Sequence, residues 1–394
     1  MNKYEFWIDD FATELKQHIN LSKSAWRIVE DDMNNFYESR EKISFSGFLN
    51  TVLENFVQDS TASISLRLKQ KKEELELLKS NIKFKSYDKK TLSTFIQTLL
   101  SVFEHELTEK SHSYINGSGK KFRINKNNLD LIRESEEAPY YEGNIGKYLK
   151  AIFEEYSQKH TYEREQIFFK STIKSIEEAI VKQKKLKITL NDKTTVLGDR
   201  TYNKKYYVYP YKIVQNSTYT YNYLVGFAEE ILDIEQINED GSKVKTREIK
   251  EKIPCCFRIS RIKKCDVQTS MGAKISKPNV ELLENLIDER TVMFLSSEPI
   301  EAKIKFSQKG LESFKRQLYM RPTIYTVDSN NEYVYNFYCT EIQLINYFFK
   351  FGWDIEVLEP LSLRNTFIKR YKNAVSIYDG KTKEDIIFEQ KNHQ

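Results

Sequence analysis

Val208-Tyr209-Pro210-Tyr211, Asn222-Tyr223-Leu224-Val225 and Phe257-Arg258-Ile259-Ser260-Arg261-Ile262 follow one another closely in the chain. Aromatic and β-branched residues dominate all three, which favours a pleated, half-buried surface. Leu186-Lys187-Ile188-Thr189-Leu190 precedes them with strict alternation, and Cys256 to Val267 continues the same period of two. Tyr206 to Pro210 and Tyr219 to Phe227 complete the set. Short strands at this density predict a small barrel or half-barrel. Glu229 to Lys252 reads as a polar insertion between two of them, turning at Asp240-Gly241.

Upstream the period changes. Asn144 to Tyr156 carries Ile145, Tyr148, Leu149, Ile152, Phe153 and Tyr156 on one stripe, and Tyr162 to Gln183 has Ile167, Phe168, Ile173, Ile176 and Ile180. Both predict helices with a buried face. Leu66 to Lys83 and Thr91 to Leu107 read as charged amphipathic helices, Ser111 to Lys121 as a polar loop, and Arg123 to Ile132 as a short strand and helix. The chain shows no internal repeat, and no function is read for residues 62–135.

At the N-terminal end, Leu15, Ile19 and Leu21 alternate with Lys16, His18 and Asn20, which predicts a strand. Ser22 or Ser24 then caps a helix with Trp26, Val29, Met33, Phe36 and Tyr37 inward. After a polar turn, Glu38 to Lys42, Ser44 or Ser46 caps a second helix carrying Phe48, Leu49, Val52, Leu53 and Phe56. A lone strand leaves its backbone groups unpaired, so pairing with the same strand of a second chain is expected. This segment resembles a ribbon-helix-helix fold, and the resemblance implies a homodimer built on residues 1–60.

The barrel segments resemble the WYL domain, an Sm-like barrel. Tyr223 and Leu224 match its signature, Asn222 stands where the family usually has Trp, and Arg258 and Arg261 fit its paired arginines. Arg164-Glu165-Gln166-Ile167, leading to Glu177-Glu178-Ala179-Ile180, resembles the helix that enters this domain. Ala302 to Ser307, Met320-Arg321-Pro322, Phe348 to Gly352 and Val357 to Pro360 fall in the order of the family's C-terminal extension. The expected class is therefore α+β: a ribbon-helix-helix-like domain (1–60), a helical middle (61–183), a WYL barrel (184–275) and an α+β extension (299–380). The combination is similar to the accessory proteins of type VI-D CRISPR–Cas systems, which implies binding of single-stranded RNA and modulation of an RNA-guided RNA nuclease. The alternative is a WYL-type regulator that reads duplex DNA through the ribbon and senses a nucleotide-like ligand in the barrel; a third reading is a protein–protein adaptor.

Charge placement, more than bulk charge, must carry any such surface, because 62 basic residues against 57 acidic leave only +5. Arg258 and Arg261 sit three apart, on opposite faces of a regular strand or on one site across a bulge. They suit phosphate, with Tyr223 offering a stacking face or hydroxyl; a structural ion pair is the competing account. Lys185, Lys187, Lys204 and Lys205, interleaved with Tyr207, suit a nucleic-acid backbone with rings for its bases. Lys16, His18 and Asn20 face outward from the ribbon, where they either contact nucleic acid or only flank a dimer interface.

No catalytic or cofactor signature accompanies these residues. His18, His105, His112, His160 and His393 form no H-E-x-x-H, and there is no G-x-S-x-G. Gly117-Ser118-Gly119-Lys120-Lys121 resembles the end of a P-loop but lacks its Ser/Thr and its first Gly. Four cysteines lack C-x-x-C spacing. No enzyme activity, cofactor or metal is expected. No apolar run approaches the roughly 20 residues of a bilayer span, and Met1 to Asp10 lacks the pattern of a signal peptide, so a reduced, cytoplasmic setting is expected.

Overall fold

The computed structural model describes residues 15–36, 44–81, 89–115, 117–195, 201–215, 220–237, 243–290 and 298–382, with Trp7, Val292, Leu295 and Asp385. The expected turns at Glu38–Lys42 and Asp240-Gly241 lie outside the described residues.

The N-terminal strand and its two helices form as the pattern predicts: β1 (Lys16–Leu21), α1 (Lys23–Phe36) and α2 (Phe45–Phe56). Gln17, Ile19 and Leu21 are buried while Lys16 and His18 are exposed. Ser22 Oγ caps α1 by accepting from Ala25 N at 3.2 Å, and Ser44 Oγ caps α2 by accepting from Gly47 N at 3.0 Å.

The strand's partner is the main correction. β1 pairs antiparallel with β2 (Ser118–Arg123) of its own chain, from Lys16 opposite Arg123 to Leu21 opposite Ser118. The argument for a second chain at this strand therefore falls, and the polar loop expected over Ser111 to Lys121 ends in strand. β2 leads into α5 (Lys126–Glu134) and, after a short 3-10 turn, α6 (Ile145–Gln158). This is a second strand-helix-helix unit, so the reading of no internal repeat is also corrected. Ile19 corresponds to Phe122, Leu21 to Ile124 and the cap Ser22 to the cap Asn125, all at one constant spacing, and the four apolar residues are all buried.

The two units cross over. α2 packs on β2 and α5, and α6 packs on β1 and α1. Each second helix also caps the other unit's first helix. Asn50 Oδ1 accepts from Asn125 N at 2.8 Å, and Glu154 Oε1 accepts from Ser22 N at 2.5 Å. A continuous core runs through both units, from Ile19 and Phe48 to Phe122 and Phe153. The helical hairpin α3 (Ile64–Asn81) and α4 (Lys89–His112) is inserted between the units.

Helices α7 (Thr161–Phe168) and α8 (Lys170–Val181) lead to a six-stranded antiparallel half-barrel. Its strands are β3 (Lys184–Thr195), β4 (Thr201–Gln215), β5 (Asn222–Ile237), β6 (Lys243–Ile249), β7 (Ile253–Arg258) and β8 (Ile262–Gly272). The order is β6-β5-β4-β3-β8, and β7 also pairs with β5. The insertion expected at Glu229 to Lys252 is in fact the outer half of β5 with its hairpin partner β6. Leu186, Ile188, Val208, Leu224 and Ile262 form the concave core under α8. Helix α9 (Lys277–Arg290) covers part of the opposite face through Leu283 and Leu286, against Tyr223, Val225 and Phe227.

The C-terminal part folds as β9 (Pro299–Phe306), α10 (Gln308–Arg316), β10 (Tyr325–Asp328), β11 (Asn331–Thr340), α11 (Glu341–Phe348), β12 (Ile355–Glu359) and α12 (Leu361–Tyr378). Its sheet runs β10-β11-β9-β12. Ile304, Phe306, Phe314, Phe337 and Phe348 fill the core between sheet and helices.

Candidate nucleic-acid interface

The signature residues of the barrel are inside the protein. Asn222 is fully buried where β5 begins, and its amide is satisfied on both sides. Nδ2 donates to Tyr162 O and to Glu165 Oε2, each at 2.9 Å, and Oδ1 accepts from Gln166 Nε2 at 3.0 Å. Glu165, also fully buried, further accepts from Asn222 N at 2.6 Å and Ser260 N at 3.1 Å. Burial raises its carboxyl above the usual range against the pull of these donors.

Arg258 belongs to the same cluster. Its guanidinium lies over the Tyr221 ring, 3.3 Å from the centroid, with Glu165 3.9 Å away. Nη2 donates to Asn35 O, at the end of α1, at 3.1 Å. Of the two roles open for this arginine, the geometry is that of a structural tie between the N-terminal units and the barrel. Arg261 ends the 3-10 turn Ile259–Arg261 and is exposed. Tyr223 is 8% exposed and packs with Val225, Phe227 and Leu283. Burial pushes its hydroxyl up to about 12. Stacking a base on its ring would require α9 or β7 to move.

A basic and aromatic patch does form on the barrel's outer face. Lys187 pairs across from Tyr207, and Thr189 across from Lys205. Lys185 Nζ stands 4.2 Å from the Tyr209 ring centre and 3.1 Å from Glu229 Oε2. Burial works against the Lys185 charge, but bonds to Tyr209 and Glu229 hold its ammonium above its ordinary value. Lys252 Nζ also stands 5.0 Å from the Tyr209 ring centre. Lys185, Lys187, Lys205 and Tyr207 thus share one face. Lys204 has the parity of Tyr206 and Val208, which face the concave core, and so points the other way.

The ribbon carries a second cationic face. Lys16 sits beside Arg123, His18 beside Lys121, and Asn20 beside Gly119, all on the side away from the core. Lys120 points inward instead, paired with Glu30 and 4.7 Å from the Trp26 ring centre. Lys121 and Arg123 escape sequence reasoning because Phe122 is the only apolar residue in β2. The cap Asn125, ahead of Leu129 and Ile132, is the signal that a strand-helix unit begins there.

A cleft of about 1050 Å³ opens between α2, α7, α8 and the start of β5. Two of its cations are engaged: Lys170 with Asp59 at 2.9 Å and Lys212 with Glu284 at 2.7 Å. Among the described residues no group of acids, cysteines or histidines could hold a metal ion. Burial raises all four thiols, Cys256 to about 11 and Cys265 and Cys339 to about 12. No helix of the described residues is long and apolar enough to cross a membrane.

Comparison with known proteins places the fold. The chain matches no family model, and no curated protein matches it. A solved structure described as a CRISPR Cas-related protein superimposes with a TM-score of 0.67 at 20% identity, over 96% of this chain and 99% of that one. Proteasome accessory factor B/C of Arthrobacter aurescens matches over 54% of this chain and 28% of its own, at 16% identity and a TM-score of 0.20.

Proposed function

We propose that the chain is a non-enzymatic, WYL-type regulatory protein of a CRISPR–Cas system, which binds single-stranded RNA and modulates an RNA-guided RNA nuclease. Two things support this reading: the fold shared almost end to end with a CRISPR Cas-related protein, and the barrel's outer face. That face carries the reading, because it sets Lys185, Lys187 and Lys205 among Tyr207 and Tyr209. Ammonium groups follow a phosphate backbone, and rings stack on bases of any sequence. Capture is then electrostatic and salt-dependent, with the nuclease responding to the bound complex.

Salt-titrated binding to a single-stranded RNA tests it. Lys187→Ala with Lys205→Ala should weaken binding and flatten the salt dependence by about 1.4 in log–log slope, since a single strand contributes about 0.7 per phosphate contact. Unchanged RNA affinity in this double variant would refute the assignment. Stimulation of a purified RNA-guided nuclease, lost in the same variant, tests the regulatory half.

A further inference from the structure

Helix α12 carries an apolar row that its own domain leaves uncovered, on a face independent of the barrel patch. We propose that α12 docks an acidic amphipathic helix of another protein along this row.

Leu361, Ile368 and Val375 recur every seven residues in α12, and all three are exposed. At about 100° per residue such a row drifts by only about 20° per heptad, so it is one narrow stripe. A different face holds the helix to its own domain. Leu363 and Phe367 are buried, and Tyr371 stacks on Phe349 with ring centres 4.7 Å apart. Past Tyr371 no side chain of α12 is buried, and Val375, Ile377 and Tyr378 are all exposed there. The Tyr371 hydroxyl donates to Phe349 O at 3.0 Å and lies 3.4 Å from Gly352 O. Gly352 takes a left-handed φ of 58°, and the next residue, Trp353, stands 91% exposed beside the helix. Aliphatic and aromatic groups displayed together in this way are the anchors of an interface.

Charge selects the occupant. Arg364, Lys369, Arg370 and Lys372 lie on α12, and no acid lies between Leu361 and Tyr378. Arg364 is engaged by Glu356 at 2.9 Å, but no ion pair among the described residues engages Lys369, Arg370 or Lys372. Lys372 stands four residues after Ile368 and three before Val375, and so borders the row beside both. A second copy of α12 would set cations against cations and offer none of the acids they need. An anionic membrane surface takes an apolar face of about 100° or more, and this row is far narrower. A nucleic acid would meet the cations but leave the aliphatic row without a partner. A helix with apolar residues on the same repeat, flanked by Glu or Asp, fills the row and pairs the lysines.

Fluorescence anisotropy of the full chain with two labelled synthetic helices tests this. Both peptides repeat leucine at the spacing of the row; one flanks it with Glu, the other with Lys. The Glu peptide should bind and the Lys peptide should not, with affinity falling as salt rises. Ile368→Ser with Val375→Ser should weaken the Glu peptide about 100-fold, at roughly tenfold per aliphatic side chain removed from the contact. Lys369→Glu with Lys372→Glu should exchange the preference in favour of the Lys peptide. All four positions are exposed, so a matched melting temperature checks the fold. Single-stranded RNA affinity should stay unchanged in both variants, which separates failure here from failure of the barrel assignment. No binding of the Glu peptide, equal affinity for both peptides, or binding indifferent to Ile368 and Val375 would each overturn the proposal. So would RNA affinity lost with Lys369 and Lys372, or self-association or phosphatidylserine-vesicle binding that these variants abolish.

Discussion

Asp32→Ala tests how the N-terminal units are fastened to the rest. Asp32 lies on α1 and Arg164 on α7, and their side chains are 1% and 7% exposed. Arg164 donates to Asp32 through Nε at 2.6 Å and Nη2 at 3.1 Å, and the Tyr156 hydroxyl donates to Asp32 Oδ2 at 2.8 Å. Removing the carboxylate strands a guanidinium out of water with both hydrogen bonds gone, a change that costs about 3–5 kcal/mol. The Tyr156 hydroxyl also loses its acceptor, at about 1–3 kcal/mol. These terms overlap, so the expected total is about 4–5 kcal/mol. The unfolding of so long a chain need not be two-state, so native-state hydrogen exchange in α1, α6 and α7 is the suitable assay. A companion variant sharpens the test. Asp32→Leu with Arg164→Met replaces the pair by apolar groups of similar size, and should recover most of the loss because the buried ions then cost nothing to desolvate. If Asp32→Ala loses less than about 1 kcal/mol, or the apolar pair is as damaging as the single variant, the account of this junction is wrong.

Further outcomes follow from other sites. Glu165 is buried, and its folded-state carboxyl is raised above the usual range. The folded chain therefore holds that proton at higher pH than the unfolded chain, and its contribution to stability falls as pH rises from about 4.5 through the raised value. Relative to Glu165→Gln, which cannot titrate, the native protein should lose ground over that rise; denaturation midpoints of both proteins at several pH values show it, and a parallel pair of curves would contradict it. Phe348→Ala, at a fully buried position among Phe306, Phe314 and Phe337, should cost about 3–5 kcal/mol. Because that core contains none of the residues of the N-terminal core, hydrogen exchange should rise in β9 to β12 while β1 and β2 keep their protection. Gly119→Ala should displace the His18 ring from the ribbon with little change in melting temperature, read by the His18 ring resonances in an NMR spectrum beside a thermal scan.

Much of the architecture was legible because burial imposes a period. Ile19 and Leu21 alternate with His18 and Asn20 in β1 because one face meets the core, and the strands of the half-barrel show the same imprint. β2 was illegible for the opposite reason. Its sequence, SGKKFR, buries one apolar side chain, while Lys120 folds its stem inward to reach Glu30. The repeat was hidden because only burial and capping recur: Ser22 and Asn125 share a role but not a residue type. The outer half of β5 with β6 was read as an insertion because a hairpin projecting beyond the sheet need not alternate. At the candidate sites, the outward parity of Lys16 and His18, and of Lys187 and Tyr207, could be read locally. The role of Arg258 could not, since its partner Asn35 lies 223 residues away.

Asn222, which stands where the WYL resemblance would place a tryptophan, has a definite physical role in this chain. Neighbouring residues on α7 point to different bodies: Arg164 to Asp32 in the N-terminal units, Glu165 to the first residue of β5 and to Ser260 after β7. A buried carboxylate needs donors, and Asn222 supplies two, its backbone N–H and its amide. The same amide gives to Tyr162 O and takes from Gln166, so it engages both sides of α7 at once. An indole has one N–H and no acceptor. It could not answer Gln166, and its bulk would displace the helix that Arg164 anchors. Asn222 is thus part of the joint, and Arg258 completes it by reaching Asn35 at the end of α1. The N-terminal units and the barrel thus meet through a joint of hydrogen-bonded polar side chains carried by α1, α7 and β5.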